Sequence, residues 1–411
     1  MRLLVTSESH ASCGTTGGFY ADGPANYQIW SSYLKWFDEV VVLTRVGAGR
    51  AGESQKTRAD GPGVSFCPLP DYVGPWQYLR ILPELRVRVR KAITECDAFI
   101  LHVPGLIGRL TCTELRKNKV PYALDVVGDP WDALGPGTWP NPFRPIFRRL
   151  AVSNLREMCR DAMAIRYVTK HSLQRRYQAG KKSFVVAFSD ILTELGSVPT
   201  QTANDRYRRL ETMAGGAPKG AFHIGFIGSL ARLYKGPDVM LRAVALCRDR
   251  GLDCLVTIVG DGRYAEAMKI LARRLQIDDR TTFLGKIPFG SPVLVYLDSV
   301  DLFAMPSRQE GLPRTLVEAM SRGCPCIGSN VGGIPELLDE EDLVPPNDPQ
   351  ALARKIMEVA GDARRMRKMS ERNLKKAAQY DPAALTEKRN EFYDYVKRHS
   401  RGRGTPSRDD R

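Results

Sequence analysis

The chain has 411 residues, more than one ordinary hydrophobic core holds, so two domains are expected. Hydrophobic residues at 43% and charged residues at 26% exclude disorder over most of the length. A net charge of +15 calls for a surface that attracts an anion, which is nucleic acid, an acidic membrane face or a phosphorylated small molecule.

Met1-Arg2-Leu3-Leu4-Val5-Thr6 turns polar at Ser7, far short of a signal-peptide core, and reads as a buried first strand. Gly14-Thr15-Thr16-Gly17-Gly18 follows it and is expected to lead into a helix, although it is not G-x-G-x-x-G. Further β-branched runs at 39–44, 98–101 and 122–127 leave room for helices between them, the rhythm of βαβ units and a parallel sheet. His102 closes the third run, where a capped strand end is expected ahead of a substrate contact. After the fourth run, Asp129 precedes Pro130, and an Asx turn and a polar contact or base weigh equally there.

From Arg144 to Lys182 there are eleven Lys/Arg against Glu157 and Asp161. A solvated helix face and a face lying on anionic lipid both fit that surplus. No window approaches the roughly 18 apolar residues of a membrane span. The nine cysteines are scattered without a C-x-x-C pair, which points to free thiols in a reducing cytoplasm.

The strand rhythm restarts at 222–227 and continues at 255–259, 282–284, 302–305 and 325–328, with helices expected over 237–250, 263–275 and 313–322. The expected division is an N-terminal domain 1–200, a linker 201–220 rich in helix and strand breakers, and a second domain 221–383. An amphipathic helix at 384–398 is expected to cross back to the N-terminal domain, and 399–411 is expected as a disordered basic tail.

The most informative string is Ser307-Arg308-Gln309-Glu310-Gly311-Leu312-Pro313-Arg314-Thr315-Leu316-Val317-Glu318, followed by Gly323-Cys324-Pro325-Cys326 and Gly332-Gly333-Ile334-Pro335-Glu336. It reads as strand, turn, helix, strand, Gly-Gly turn, helix. Pro313 suits a first helical position, and the unpaired amides near Thr315 then form an anion site on the positive end of the helix dipole. Glu310 lies on the loop, and Glu318 lies about 7 to 8 Å further along the helix. Two carboxylates bracketing an anion site, each able to accept hydroxyl hydrogen bonds, suit a nucleotide-activated sugar. Cys324 and Cys326 alternate along a strand and read as core packing.

This compound string resembles the E-x7-E signature of the retaining glycosyltransferases of family 4. The resemblance implies the GT-B fold, an α/β architecture of two Rossmann-like domains with parallel sheets facing across a cleft. It covers 222–345 well and the first domain loosely. A second string, Gly228-Ser229-Leu230-Ala231-Arg232-Leu233-Tyr234-Lys235-Gly236, is similar to the family segment that holds the donor pyrophosphate with an Arg and a Lys. Lys235 matches; Ser229 stands where the family has Arg, so the guanidinium role passes to Arg232. Where relatives carry a His beside the donor sugar, this chain has Asp129.

The resemblance further implies that Glu310 orients the sugar hydroxyls and Glu318 holds the ribose. Gly17, Gly18, Gly311, Leu312, Pro313 and Thr315 line the phosphates, and Lys286 and Ile287 lie at the base. No cofactor and no metal are expected, because Lys, Arg and a helix dipole neutralise the leaving diphosphate. The implied reaction is retaining transfer from a nucleoside-diphosphate sugar to a glycan or lipid-linked acceptor hydroxyl, in bacterial surface polysaccharide or glycolipid synthesis. The implied location is cytoplasmic, at the inner membrane face through 144–182. A sugar phosphorylase or epimerase of the same fold and a non-catalytic nucleotide-sugar binder are the alternatives. No nucleic-acid motif accompanies the charge.

Overall fold

The computed structural model describes residues 1–14, 17–21, 25–48, 57–135, 141–189, 205–209, 212 and 221–400. Two compact units emerge. The first gathers Met1–Gly128, Arg149–Phe188 and Glu387–Arg411, and the second gathers Asp129–Arg148 and Ser189–Thr386.

The first unit is built on strands β1 (Arg2–Cys13), β2 (Phe19–Ala21), β3 (Glu39–Ala48), β4 (Thr57–Arg58), β5 (Val64–Pro70), β6 (Ala98–Val103), β7 (Ala123–Val126), β8 (Ala164–Tyr167) and β9 (Phe184–Ala187). The parallel run is β5-β3-β1-β6-β7-β8-β9, and β2 and β4 extend it as antiparallel strands. β1 runs past Thr6 to Cys13 because a register shift between Thr6 and His10 re-aims its polar half along β3. Leu3, Leu4, Val40, Val42, Ile100 and Leu124 are fully or almost fully buried in this sheet. Helix α1 (Gly74–Thr94) follows β5 in the chain, and helix α2 (Arg144–Asp161) precedes β8.

One polar row runs through the otherwise apolar sheet. His102, Asp125 and Arg166 are register partners on β6, β7 and β8. The His102 Nε2 lies 3.1 Å from Asp125 Oδ2, and the Arg166 Nε donates to Asp125 Oδ1 at 2.5 Å. Burial alone would raise the Asp125 carboxyl, but the Arg166 and His102 charges hold it below its ordinary value. His102 is thus a member of an ion-paired sheet row, and its backbone N–H donates to the Thr6 hydroxyl. Arg166, counted above in the basic surplus, is buried inside the unit.

The second unit holds strands β10 (Phe222–Ile227), β11 (Cys254–Val259), β12 (Thr281–Gly285), β13 (Leu302–Met305), β14 (Cys326–Ser329) and β15 (Leu343–Val344), in the order β12-β11-β10-β13-β14-β15. Every pairing is parallel; apolar runs fill the inner strands β10 and β13, while the edge strand β12 stays partly exposed. Helices α3 (Pro237–Asp249) and α4 (Arg314–Ser321) follow β10 and β13. Cys324 and Cys326 are fully buried in this core.

Within the stretch expected as a linker, residues 205–209 are helical. Arg206 there is buried and donates to the carbonyls of Leu297 and Val300 at 2.8 and 2.7 Å. Most of the remaining linker and the expected tail from 401 lie outside the described residues. Helix α5 (Thr386–His399) lays Phe392 and Tyr393 among Tyr33, Trp36 and Phe188 of the first unit.

Candidate active site

The strand order of the second unit reverses direction between β10 and β13, so the loops leaving their carboxyl ends diverge and open a crevice. Ligands bind open α/β sheets at this place. The loop after β10 carries Lys235, and the loop after β13 carries Glu310. The Lys235 Nζ donates to both carboxylate oxygens of Glu310, at 2.7 and 2.9 Å, and the Ser307 hydroxyl donates to Oε1 at 2.6 Å. Two residues 75 positions apart are joined by the geometry of a parallel sheet. Burial alone would lower the lysine, but the Glu310 carboxylate, with Tyr234 beside it, holds it above its ordinary value. Lys235 therefore stays charged.

Two glycine-dependent contacts fix this meeting. Gly236 has φ +74° and Gly332 has φ +54°, both in the left-handed region that favours glycine. A Cβ on Gly236 would collide with the Pro306 carbonyl, and one on Gly332 with the Glu310 carbonyl. The Gly333 N–H donates to the Gly311 carbonyl at 2.7 Å. The Gly-Gly turn is thus the floor under Glu310 and Gly311.

α4 begins at Arg314, with Pro313 as its N-cap in extended conformation, one residue later than the sequence suggests. No side chain caps this end, which leaves the amides of the first turn facing the Glu310 loop. Thr315 is half-buried in that turn. Glu318 is half-buried one turn on; its carbonyl accepts from the Ser321 hydroxyl at 2.7 Å, and its carboxylate has no hydrogen-bond or ion-pair partner among the described residues. Burial pushes its carboxyl above the usual carboxylate value, and the Arg314 guanidinium partly opposes this. The Arg314 charge also bears on Lys235.

Arg308 is a functional position that sequence reasoning left without a role. Its guanidinium makes two hydrogen bonds to Asp238 at 2.8 and 2.7 Å, and its backbone N–H donates to the Tyr234 carbonyl at 2.7 Å. It ties the Lys235 loop to the Glu310 loop. Both residues stand inside the quoted strings or beside them; their pairing across 70 positions carries no local signal.

The other expected site residues fall as follows. Arg232 is exposed and makes no hydrogen bond or ion pair among the described residues, so the structure does not bring it to the Lys235–Glu310 pair. Ser229 accepts from the Ala231 N–H at 3.2 Å. Lys286 is exposed and Ile287 half-buried just beyond β12, with Ile287 against the core. The Gly311 and Leu312 pair is half-buried in the Glu310 loop.

Asp129 accepts from the Trp131 N–H at 2.7 Å and caps a short helix Pro130–Ala133, which is the Asx-turn alternative. Gly17 and Gly18 require a correction. They turn β1 into the antiparallel β2, with the Gly14 N–H donating to the Gly18 carbonyl at 2.8 Å, so this loop opens no helix and carries no helix dipole. Thr15 and Thr16 lie outside the described residues.

Residues 221–362 match the family described as Glycosyl transferases group 1. Protein CapJ of Staphylococcus aureus is 26% identical over 337 residues, which is 80% of each chain. The chain spans about half the length of the next curated relatives it matches, 53% and 54%. Among solved structures, sucrose-phosphate synthase of Thermosynechococcus elongatus aligns with a TM-score of 0.70 at 16% identity, over 96% of this chain and 99% of that one. Anabaena HepE in complex with UDP-glucose aligns at 0.63 and 19%, over 95% and 98%. The fold shared with these structures is GT-B. The reversal point that holds Lys235 and Glu310, with Glu318 further along α4, lies inside the segment that matches Glycosyl transferases group 1.

Proposed function

We propose that the chain transfers a sugar from a nucleoside-diphosphate sugar to an acceptor hydroxyl with retention of configuration and without a metal ion. The acceptor is a glycan or lipid-linked glycan of surface polysaccharide or glycolipid synthesis, met at the cytoplasmic membrane face. The observation that carries this reading is the half-buried Lys235–Glu310 pair at the reversal point, with the Glu318 carboxylate, unpaired among the described residues, further along α4. The UDP-glucose bound to HepE makes UDP-sugars the first donors to test.

Lys235 and the first amides of α4 would stabilise the leaving diphosphate as the bond from the anomeric carbon to its oxygen breaks. Arg314, at the first position of α4, would be the second cation, because its charge bears on both Lys235 and Glu318 while Arg232 is exposed. The acceptor oxygen forms the new bond, and its proton leaves with the diphosphate or the medium. Glu310 would receive sugar hydroxyls while keeping Lys235 charged, and Glu318 would accept the ribose hydroxyls. Removing such an electrostatic donor typically lowers turnover about 10² to 10³-fold. Release of free nucleoside diphosphate from a panel of donors, by wild type and by Lys235→Ala, tests this. Turnover unchanged in the variant would remove the site assignment.

A further inference from the structure

We propose that the exposed face opening α2 docks on an anionic lipid bilayer, an inference that rests on the membrane-face reading above and gives it a surface. Phe143, Ile146, Phe147 and Leu150 are 60%, 55%, 41% and 53% exposed. Their spacing of three, four and seven residues puts them in one stripe along a helix. Val152, Leu155, Met158 and Cys159 of the same helix are buried on another side. The helix therefore packs one apolar face in the protein and turns a second to solvent, and four adjoining large apolar side chains exceed the scattered exposure of an ordinary surface.

Arginines flank the stripe. By helical geometry Arg144 and Arg148 lie on one side and Arg149 on the other. Arg144 donates to the Leu134 carbonyl, which fixes the side chain and leaves its charge intact. Arg148 donates to the Trp131 carbonyl and stacks 3.4 Å from that ring, adding a half-exposed indole beside the stripe. Arg149 and, further along, Arg160 are exposed and in no ion pair among the described residues. An apolar stripe between guanidinium groups is the form of a helix that lies in a lipid headgroup layer.

The occupant follows from charge. A second copy on the α2 stripe would set like-charged arginines against each other in a symmetric contact.

Sedimentation of the full chain with vesicles at low salt tests the surface. One set is phosphatidylcholine alone, and the other is equal parts phosphatidylcholine and phosphatidylglycerol. Wild type should prefer the anionic vesicles, and the Ile146→Ser/Phe147→Ser pair should lose that binding about tenfold or more. Arg149→Gln should lose several-fold and weaken the salt dependence. All positions are exposed and outside the candidate site, so melting temperature and donor turnover in solution should hold. Equal partition onto both vesicle types, or undiminished binding by the double variant and by Arg149→Gln, would overturn the proposal. So would a concentration-dependent dimer that the double variant abolishes. Anionic preference with no donor turnover supports the surface and sinks the catalytic reading instead.

Discussion

The Glu318 carboxylate sits half-buried with no hydrogen-bond partner among the described residues, and burial raises it above the usual value. Between the ordinary and the raised value the folded chain holds a proton that the unfolded chain has lost. Stability therefore falls as pH rises through that window. Glu318→Gln removes the desolvated charge, so at neutral pH it should raise the melting temperature by a degree or two while weakening nucleoside-diphosphate binding. A variant that melts lower than wild type and binds equally well would contradict a carboxylate kept for a ligand. Lys235 has the same slope in a different window, because a raised lysine adds stability that is present at neutral pH and lost as pH rises from the ordinary 10.5 through its folded value.

Arg314 and Arg232 separate at the same scale. Arg314→Ala should reduce turnover about 100-fold, as loss of a transition-state cation does, and Arg232→Ala should stay close to wild type. Steady-state kinetics with one donor decides between them. A large loss in Arg232→Ala alone would return the second-cation role to the residue that sequence spacing suggests.

Among the elements, the Gly332-Gly333 turn has the most direct structural consequence for the site, because it supports the backbone of Glu310 and Gly311. Gly332→Ala combines a positive φ with a Cβ against the Glu310 carbonyl, and it should destabilise the fold by about 1 to 3 kcal/mol. Denaturant midpoints measure that change, and donor turnover should fall with it as Glu310 is displaced. An unaltered midpoint would mean the turn is free to move and does not set the site.

The same scale shows what could be read before folding. Glu310, Pro313 and Glu318 were legible because they lie in one contiguous loop and helix, where spacing alone sets geometry. β5 carries a weak strand signal because Pro68 and Pro70 interrupt it; they are tolerated there because, among the described strands, β5 pairs with β3 alone at the sheet edge. β8 was hidden by Arg166, a charge that becomes compatible with a buried strand only when Asp125 faces it from β7. The Gly14 to Gly18 turn was expected before a helix, because a strand-to-hairpin turn and a strand-to-helix turn share the same glycines. The Arg308–Asp238 brace could not be read from either string alone.

At the level of the whole molecule, each unit has its own sheet and core, and the reversal point that holds Lys235 and Glu310 belongs entirely to the second. A nucleoside diphosphate bound there should stabilise that unit first, by about 2.7 kcal/mol at a hundredfold excess over Kd. Amide hydrogen exchange with and without UDP, GDP, ADP or TDP locates the effect. Slowing is expected at 228–238, 307–318 and 330–334, because these loops and the first turn of α4 surround the pair and have amides to offer a phosphate. Slowing confined to β1–β9 would place the nucleotide in the first unit, and neither Lys235 nor the amino end of α4 could then hold it.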